Sequence, residues 1–431
     1  MSLKITKLWD RLFLEERPSI GLSFFRIFVA LTVGLHAIPS FFHLDDNYLS
    51  TAFKEINVSF FTPAVIELVQ RSPDSVVYFF TVFFYITWFS FFIGLFSQAS
   101  CILMTVACYY FYALNCFHIG TLSWDILLVT LFLMCVTNYH SDYFSVDCLR
   151  RRDIFAYKKK RPFFLQRLLQ MQIASTFFYT AFYKVTKAGN WLMDNPIYYL
   201  LNYPPEGVTK QFFLRGFFAT KPELCYAIGI MILTTEFLLP FLLFTQRTRI
   251  LAIVIGFLFH IMLVVTLHVP TIFFFLFPPQ LLLFINPNHI VNWIEKRRTF
   301  YETKGQAQII YDGYCQFCLA SIEKLLIMDS LGYLKKIDYH QVDDVKMLHP
   351  NLTKELCHSQ LHLIEPGGRI YGGFFIFRRL CFKIPMLYPF IPIFYFPGSG
   401  IIGPLAYRWV AKNRYLFHLN RVCRDNACFV K

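Results

Sequence analysis

Long and nearly uninterrupted apolar runs fill the first 290 residues of this 431-residue chain. A helix rises about 1.5 Å per residue, so about 20 apolar residues cross the hydrocarbon core of a bilayer. Eight segments have this character, at 21–41, 76–97, 100–117, 122–139, 164–183, 225–244, 250–268 and 270–286. Backbone amides in lipid must pair internally, and the runs are too continuous for barrel strands. The sequence therefore predicts a mainly α protein, a polytopic bundle of about eight transmembrane helices.

Composition agrees with a membrane location. Hydrophobic residues make up 56% of the chain and charged residues only 16%, which leaves too little polar surface for a soluble protein. The net charge of +14 could suit nucleic acid, but no basic strip is interleaved with stacking aromatics in a polar background. The lipid bilayer is therefore the expected partner, and nucleic acid is not.

Basic residues indicate the orientation of the bundle. Residues 1–20 form a segment with four Lys and Arg residues, and no small-residue cleavage site follows it, so the first helix is expected to stay uncleaved. The loops richest in Lys and Arg lie at 140–163, at 245–249 and after 287. The loops 42–75 and 184–224 carry fewer per length. The positive-inside rule then predicts a multi-pass protein of a bacterial-type inner membrane with both termini in the cytoplasm.

Several ionisable side chains interrupt the apolar runs. Arg26, Glu236 and His260 are costly in hydrocarbon, so each is expected to face the bundle interior or to be a paired structural residue. As a set they predict a polar cavity. Lys184 lies at the outer end of the fifth segment, within the aromatic run Tyr179–Trp191. It is either a base partly withdrawn from water or a lysine that reaches the interface.

These residues carry a resemblance to a known family. The stretch 18–290 resembles the horizontally transferred transmembrane (HTTM) family, which includes the vitamin K-dependent gamma-carboxylase. The matching pieces are Phe144–Asp147 (FSVD), Lys184–Trp191, the run from Glu236 to His260, and Arg26. The resemblance implies a site for a reduced quinone, with Lys184 as the base that activates it and His118 as the nearest candidate for a functional histidine.

A second, more polar region begins after residue 304. Gln308–Tyr311 is predicted to be a buried strand, the CxxC motif at Cys315–Cys318 follows, and Leu319–Met328 has helical spacing. Amides at a helix N-terminus stabilise a thiolate. Cys315 is therefore the expected nucleophile, and Cys318 could resolve a mixed disulfide.

The rest of this region predicts a small C-terminal α/β thioredoxin-like domain. A strand is expected at Leu334–Tyr339, a helix near Val342–Leu356 and a hairpin at Leu361–Tyr371. The apolar stretch 384–405 is not expected to be a ninth span, because four prolines fall within 385–397.

The motif DxxCxxC, which begins at Asp312, resembles the DCC family of thiol-disulfide oxidoreductase-like proteins. The closing segment Tyr407–Phe417 resembles the end of the same family's domain. The resemblance covers 307–418 and implies a catalytic role for Asp312 with the two cysteines. The expected organisation is an N-terminal segment at 1–20, an HTTM-like domain at 21–290, a linker at 291–306, a thioredoxin-like domain at 307–418 and a tail at 419–431.

Three functions remain open from the sequence. The first is a membrane-bound thiol-disulfide oxidoreductase acting on a quinone, a peptide or a thiol protein. The second is a carboxylase-like enzyme that modifies a peptide with Lys184 as base, and the third is a non-enzymatic assembly or immunity factor. No metal is expected, although the CxxC could form half of a zinc site with Cys423 and Cys428 or with Cys357 and His358. No cofactor is certain, and a quinone is the one that the resemblance to the HTTM family implies.

Overall fold

The computed structural model describes residues 2–54, 61–115, 122–186, 191, 193–202, 214–266 and 272–414. The chain divides into two compact units. The first unit comprises residues 1–147 and 159–288, and the second comprises 148–158 and 289–431.

Helices account for most of the first unit. In chain order the helices are α1 (Ser2–Trp9), α2 (Ile20–Phe41), α3 (Leu44–Asn47), α4 (Pro63–Gln70), α5 (Asp74–Ile93), α6 (Ser97–Leu114), α7 (Leu122–Met134), α8 (Val146–Arg151), α9 (Phe164–Thr186), α10 (Pro196–Asn202), α11 (Arg215–Ala219), α12 (Pro222–Phe244), α13 (Arg249–Thr266), α14 (Ile272–Leu281) and α15 (Pro287–Lys304). α8 contains residues of both units, and α15 begins in the first unit and continues into the second. Two short strands, β1 (Glu16–Pro18) and β2 (Lys160–Pro162), pair antiparallel.

A helix lies at each of the eight segments predicted to span the membrane. Within the described parts of these segments, four helices are long and apolar enough to cross a bilayer, namely α2, α5, α6 and α12. The apolar parts of α7 and α13 are shorter, at Trp124–Met134 and Arg249–Val265. The chain therefore has a helical membrane region, and the number of eight spans is not confirmed.

Small residues bring the helices of the first unit close together. A Cβ at Gly34 of α2 would lie 2.7 Å from the Trp88 ring of α5, and Trp88 Nε1 donates to the Ala30 carbonyl at 2.7 Å. α5 ends at Gly94, which has a φ of +72° that favours glycine. The Arg26 guanidinium lies against this glycine.

The FSVD segment after α7 has a structural role in this unit. The Asp147 carboxylate accepts hydrogen bonds from the backbone amides of Phe96 and Ser97 at 3.0 and 2.7 Å, and from Ser97 Oγ at 2.8 Å. A carboxylate at this position satisfies amides that the first turn of α6 leaves without a helical partner. The motif therefore ties the loop after α7 to the start of α6.

The second unit contains a four-stranded sheet. Its strands are β3 (Ala307–Tyr311), β4 (Leu334–Asp338), β5 (His362–Ile364) and β6 (Ile370–Gly372). Their order is β4-β3-β5-β6, with β3 parallel to β4 and the other two pairs antiparallel. The predicted strands and the hairpin are therefore present. Gly368 has a φ of +76° in the hairpin turn, where glycine is favoured.

Helices surround this sheet. They are α16 (Gln316–Met328), α17 (Lys354–Ser359), α18 (Phe374–Leu380), α19 (Ile391–Tyr395) and α20 (Ser399–Lys412). The prediction of one helix near Val342–Leu356 was wrong, because only a 3₁₀ turn at Val345–Met347 and the start of α17 are helical there. Pro350 disfavours helix at the residue before it, and the Thr353 side chain accepts from Leu356 N, which begins a new helix.

The apolar stretch at 384–405 is bent. Pro385–Tyr395 and Ser399–Lys412 meet at an angle of 111°. Counted together as one broken span, they would raise the candidate spans from four to five. Three of the four prolines predicted to interrupt this stretch lie in its first arm and the fourth, Pro397, lies at the bend, where each removes a backbone donor.

Residues 148–158 belong to the second unit although α9 follows them in sequence. Tyr157 donates to the Glu295 carboxylate of α15, and Lys158 Nζ lies 2.9 Å from the same carboxylate. The Arg298 guanidinium stacks 5.0 Å from the Phe155 ring centroid. Residues 291–306, which were predicted to form a linker, therefore lie largely within α15. Residues of the 148–158 segment pack against this helix.

Candidate functional site

The cysteine pair lies where β3 leads into α16. Cys315 is the N-cap of α16, and its sulfur accepts a hydrogen bond from the Cys318 amide at 3.3 Å. Three residues make nearly one helical turn, so the spacing places both sulfurs at the same end of the helix. Both side chains are buried, with 2% and 7% exposure. The expected dithiol is therefore assembled at a helix N-terminus.

The surroundings give the two thiols different acidities. A hydrogen bond from the Cys318 side chain, with help from the Cys318 amide and the Arg414 charge, lowers the pKa of Cys315 to about 7, against the effects of burial and Asp312. The same hydrogen bond and burial raise the pKa of Cys318 well above its usual value. Cys315 is therefore the more acidic of the two thiols, and the roles of nucleophile and resolving cysteine stay a prediction.

Asp312 is a buried carboxylate that several side chains approach. Its Oδ1 lies 3.0 Å from His340 Nε2 and accepts from the Tyr314 amide at 3.1 Å. Its Oδ2 lies 3.4 Å from an Arg414 nitrogen and 3.5 Å from His358 Nδ1. Buried carboxylates normally need partners of this kind. The acid of the DxxCxxC motif therefore links the cysteine loop to three later segments of the chain.

Arg414 follows the last turn of α20 and reaches back to the cysteines. Its guanidinium donates to the His358 carbonyl at 2.9 Å and lies 4.0 Å from Cys318 Sγ. The sequence analysis did not identify Arg414 and His340 as members of the site, and it named His358 only as a possible zinc ligand beside the CxxC. The available signals were that His340 comes just after a predicted strand and that Arg414 falls inside the closing segment Tyr407–Phe417.

Gly313 explains why the loop before the cysteines is so tight. Its amide donates to Asp338 Oδ1 at 3.1 Å, and a Cβ at this position would lie 2.0 Å from Asp338 Oδ2. Any side chain here would displace the Asp338 carboxylate from this hydrogen bond. The DGYC sequence therefore holds Asp312 and Cys315 next to the end of β4.

In the first unit the structure brings together two of the predicted residues. Lys184 Nζ of α9 lies 2.5 and 2.6 Å from the two carboxylate oxygens of Glu236 in α12. The ammonium also lies 4.9 Å from the Trp191 ring centroid. The Lys184 side chain is held between the Glu236 carboxylate and the Trp191 ring. A lysine held in this way is not free to act as the base that activates a quinone.

The other predicted members of the polar cavity have different partners. Arg26 donates to the carbonyls of His140, at 3.4 Å, and Phe144. His260 Nδ1 lies 2.7 Å from the Gly256 carbonyl, and its ring stacks on Phe277 with centroids 5.2 Å apart. His118 lies outside the described residues. A single cavity shared by these side chains stays a prediction.

A zinc site at the CxxC would need further ligands beside the two cysteines. Within the described ranges, no group of three or more His, Cys, Asp and Glu residues is placed to hold a metal ion. Two of the cysteines considered for a zinc site, Cys423 and Cys428, lie beyond the last described residue.

Comparison with known proteins gave two family matches. A family model for the HTTM domain matches residues 15–289, and a model for DCC1-like thiol-disulfide oxidoreductase matches residues 309–419. No curated protein matches the chain, and no solved structure matches it.

Proposed function

This chain belongs to the HTTM family and carries a DCC1-like thiol-disulfide oxidoreductase domain, and we propose that it is a membrane-bound oxidoreductase whose nucleophile is Cys315. The observation that carries the proposal is the capped dithiol at the start of α16. The Cys315 sulfur accepts a hydrogen bond from the Cys318 amide, and the Cys315 thiol has a pKa of about 7. The thiolate is the reactive form of cysteine, so this site can act at neutral pH.

The reaction proceeds in two exchanges. The Cys315 thiolate attacks one sulfur of a substrate disulfide, forms a mixed disulfide and releases the other sulfur as a thiolate. Cys318 then loses its proton and attacks the Cys315 sulfur, which forms the Cys315–Cys318 disulfide and releases the second substrate thiolate. Two electrons pass from the cysteine pair to the substrate. Arg414, 4.0 Å from Cys318 Sγ, stabilises the charge that develops there.

The proposed substrate is a peptide or a thiol protein. Tyr314, next to the nucleophile, is 71% exposed, and its ring lies tilted against the His340 ring with centroids 4.2 Å apart. An exposed aromatic ring beside a reactive sulfur offers apolar contact to an extended peptide. The direct test is reduction of insulin disulfides by the full-length chain in detergent, with loss of activity when Cys315 is replaced.

The thiolate predicts a defined pH profile. Alkylation of Cys315 by iodoacetamide should rise with pH, reach half its maximum near pH 7 and level off above about pH 8, because the thiolate fraction follows the pKa of about 7. An ordinary cysteine would reach half its maximum only near pH 8.5 and would still gain reactivity above it. Peptide mass spectrometry on the full-length chain measures the rate at this one residue. A profile that still rises steeply above pH 8 would contradict the assignment of Cys315 as the thiolate.

Two charge substitutions should move this profile in opposite directions. Arg414→Gln should shift the midpoint to higher pH, because the Arg414 charge lowers the pKa of Cys315. Asp312→Asn should shift it to lower pH, because the Asp312 charge raises that pKa. Arg408→Gln is the matched control, since Arg408 lies on α20 and hydrogen-bonds the Pro404 carbonyl of its own helix. Equal midpoints for Arg414→Gln and the control would refute the electrostatic role of Arg414.

The proposed topology has eight spans and both termini in the cytoplasm of a bacterial-type inner membrane. The support is the distribution of Lys and Arg among the loops. A phosphatase reporter, active only in the periplasm, fused after Lys431 should stay inactive, whereas a cytoplasmic fluorescent reporter at the same position should be active. The reverse pattern would overturn this orientation.

The other functions open from the sequence have less support. No contact in the described part of the chain favours a quinone-dependent carboxylation or a non-enzymatic assembly or immunity role. The ion pair between Lys184 and Glu236 argues against the free base that carboxylation needs.

A further inference from the structure

The first unit contains a second pair of neighbouring cysteines. Cys101 is in α6, Cys135 immediately follows the last residue of α7, and both are free thiols. Their sulfurs lie 3.8 Å apart. The two residues are 34 positions apart in sequence, so the contact results from the packing of the two helices and not from a local motif.

The backbone around this pair is already held in place. Cys101 lies inside α6, and the Cys135 amide donates to the Leu131 carbonyl at 3.0 Å. Gln98 of α6 donates from its side chain to the Cys135 carbonyl, which ties the end of α7 to α6 beside the sulfurs. A disulfide needs the sulfurs at about 2.05 Å, so they must approach by about 1.8 Å. A change of rotamer at either cysteine moves its sulfur while the backbone stays in place.

The two thiols differ in access. Cys101 has 0% exposure, whereas Cys135 is partly exposed. Thr105 Oγ1 donates to the Cys101 carbonyl at 2.7 Å and lies 3.3 Å from Cys135 Sγ. Because the Thr105 hydrogen is already committed, its oxygen accepts from the Cys135 thiol and orients that sulfur next to Cys101. An incoming disulfide therefore meets Cys135 first, and Cys101 is positioned to resolve the product.

We propose that Cys101 and Cys135 form a second thiol–disulfide centre, which reacts with small-molecule disulfides. The Cys135 sulfur, after losing its proton, attacks the reagent and forms a mixed disulfide while one reagent thiol leaves. The Cys101 sulfur, also deprotonated, then attacks Cys135, forms the Cys101–Cys135 bond and releases the second reagent thiol. Two electrons and two protons leave the cysteine pair, and one reagent disulfide becomes two thiols. This centre is independent of the function proposed for the CxxC.

The test uses the full-length chain in detergent with Cys315→Ala and Cys318→Ala, so that the CxxC cannot contribute. The probe is 4,4′-dithiodipyridine, a small aromatic disulfide, followed by acid quenching and peptide mass spectrometry. The expected product is a linkage between the peptides that contain Cys101 and Cys135, which dithiothreitol reverses. A stable reagent adduct on Cys135 without this linkage, or no reaction of Cys135 at all, would overturn the proposal.

Single variants in the same background test the order of attack. Cys101→Ala should leave the reagent attached to Cys135, whereas Cys135→Ala should leave Cys101 unmodified. Cys108→Ala is the matched control, because Cys108 is also buried in α6 and its loss should leave the linkage unchanged. The opposite pattern, with an adduct on Cys101 in Cys135→Ala, would show that the assignment of the attacking thiol is wrong. A linkage lost in the control would point to Cys108 as the partner.

Discussion

Insulin-disulfide reduction by the full-length chain is expected to fall by about a thousandfold or more when Cys315 is replaced with Ala, because the reaction then has no nucleophile. Cys315 is the N-cap of α16 and carries the lowered pKa of the pair, so Cys318 cannot take over its role. The assay follows the turbidity of released insulin chains with dithiothreitol as the final reductant, at pH 7 and in one detergent.

Cys318→Ala should behave differently from Cys315→Ala. The first exchange remains possible, so a mixed disulfide between Cys315 and the substrate should accumulate and be visible on a non-reducing gel. Cys381→Ala is the control, since Cys381 is a buried free cysteine of the same unit and should retain full activity. The assignment fails if the unaltered chain reduces no insulin, or if Cys315→Ala reduces it as fast as Cys381→Ala.

The second large effect concerns the stability of the first unit. Lys184→Met should lower the free energy of unfolding by about 3 kcal/mol, because it leaves the Glu236 carboxylate buried without its ammonium partner. The Glu236 side chain is only 8% exposed, so water cannot replace the lost contact. The measurement is unfolding of the full-length chain in mixed micelles with increasing dodecyl sulfate, followed by circular dichroism.

A double variant separates the ion pair from general damage to the helix interface. Lys184→Met combined with Glu236→Leu should recover most of the lost stability, because two apolar side chains remove the uncompensated charge. The exposed pair Arg71–Glu67, with 75% and 63% exposed side chains, provides the control. Arg71→Met should change the free energy of unfolding by less than about 1 kcal/mol. If the double variant is less stable than Lys184→Met alone, the ion pair does not account for the effect.

Local patterns in the sequence were sufficient to predict the elements around the dithiol. Each of these elements depends only on neighbouring residues: an apolar strand that ends at Tyr311, two cysteines about one helical turn apart and an apolar helix that ends at Met328. The hairpin followed from the glycines in its turn, since glycine readily adopts the backbone conformation needed there. The helical character of the first unit followed from the cost of unpaired amides in lipid. Local patterns failed at Val342–Leu356, where a proline and a new cap divide the segment.

The partners of the reactive groups depended on tertiary structure. Arg414 meets Asp312 across 102 positions, and Glu236 meets Lys184 across 52. Charge and periodicity showed that Glu236 needs a polar environment or a partner within the bundle, but they do not specify which partner, because every buried charge in the chain has the same need. The choice follows from how helices and strands pack, which brings distant side chains within hydrogen-bonding distance. The contact between Cys101 and Cys135 arises in the same way. The amino-acid sequence by itself therefore determined that the protein enters a membrane and carries a dithiol at the start of a helix. The packing of helices and strands decided which residues surround the reactive groups.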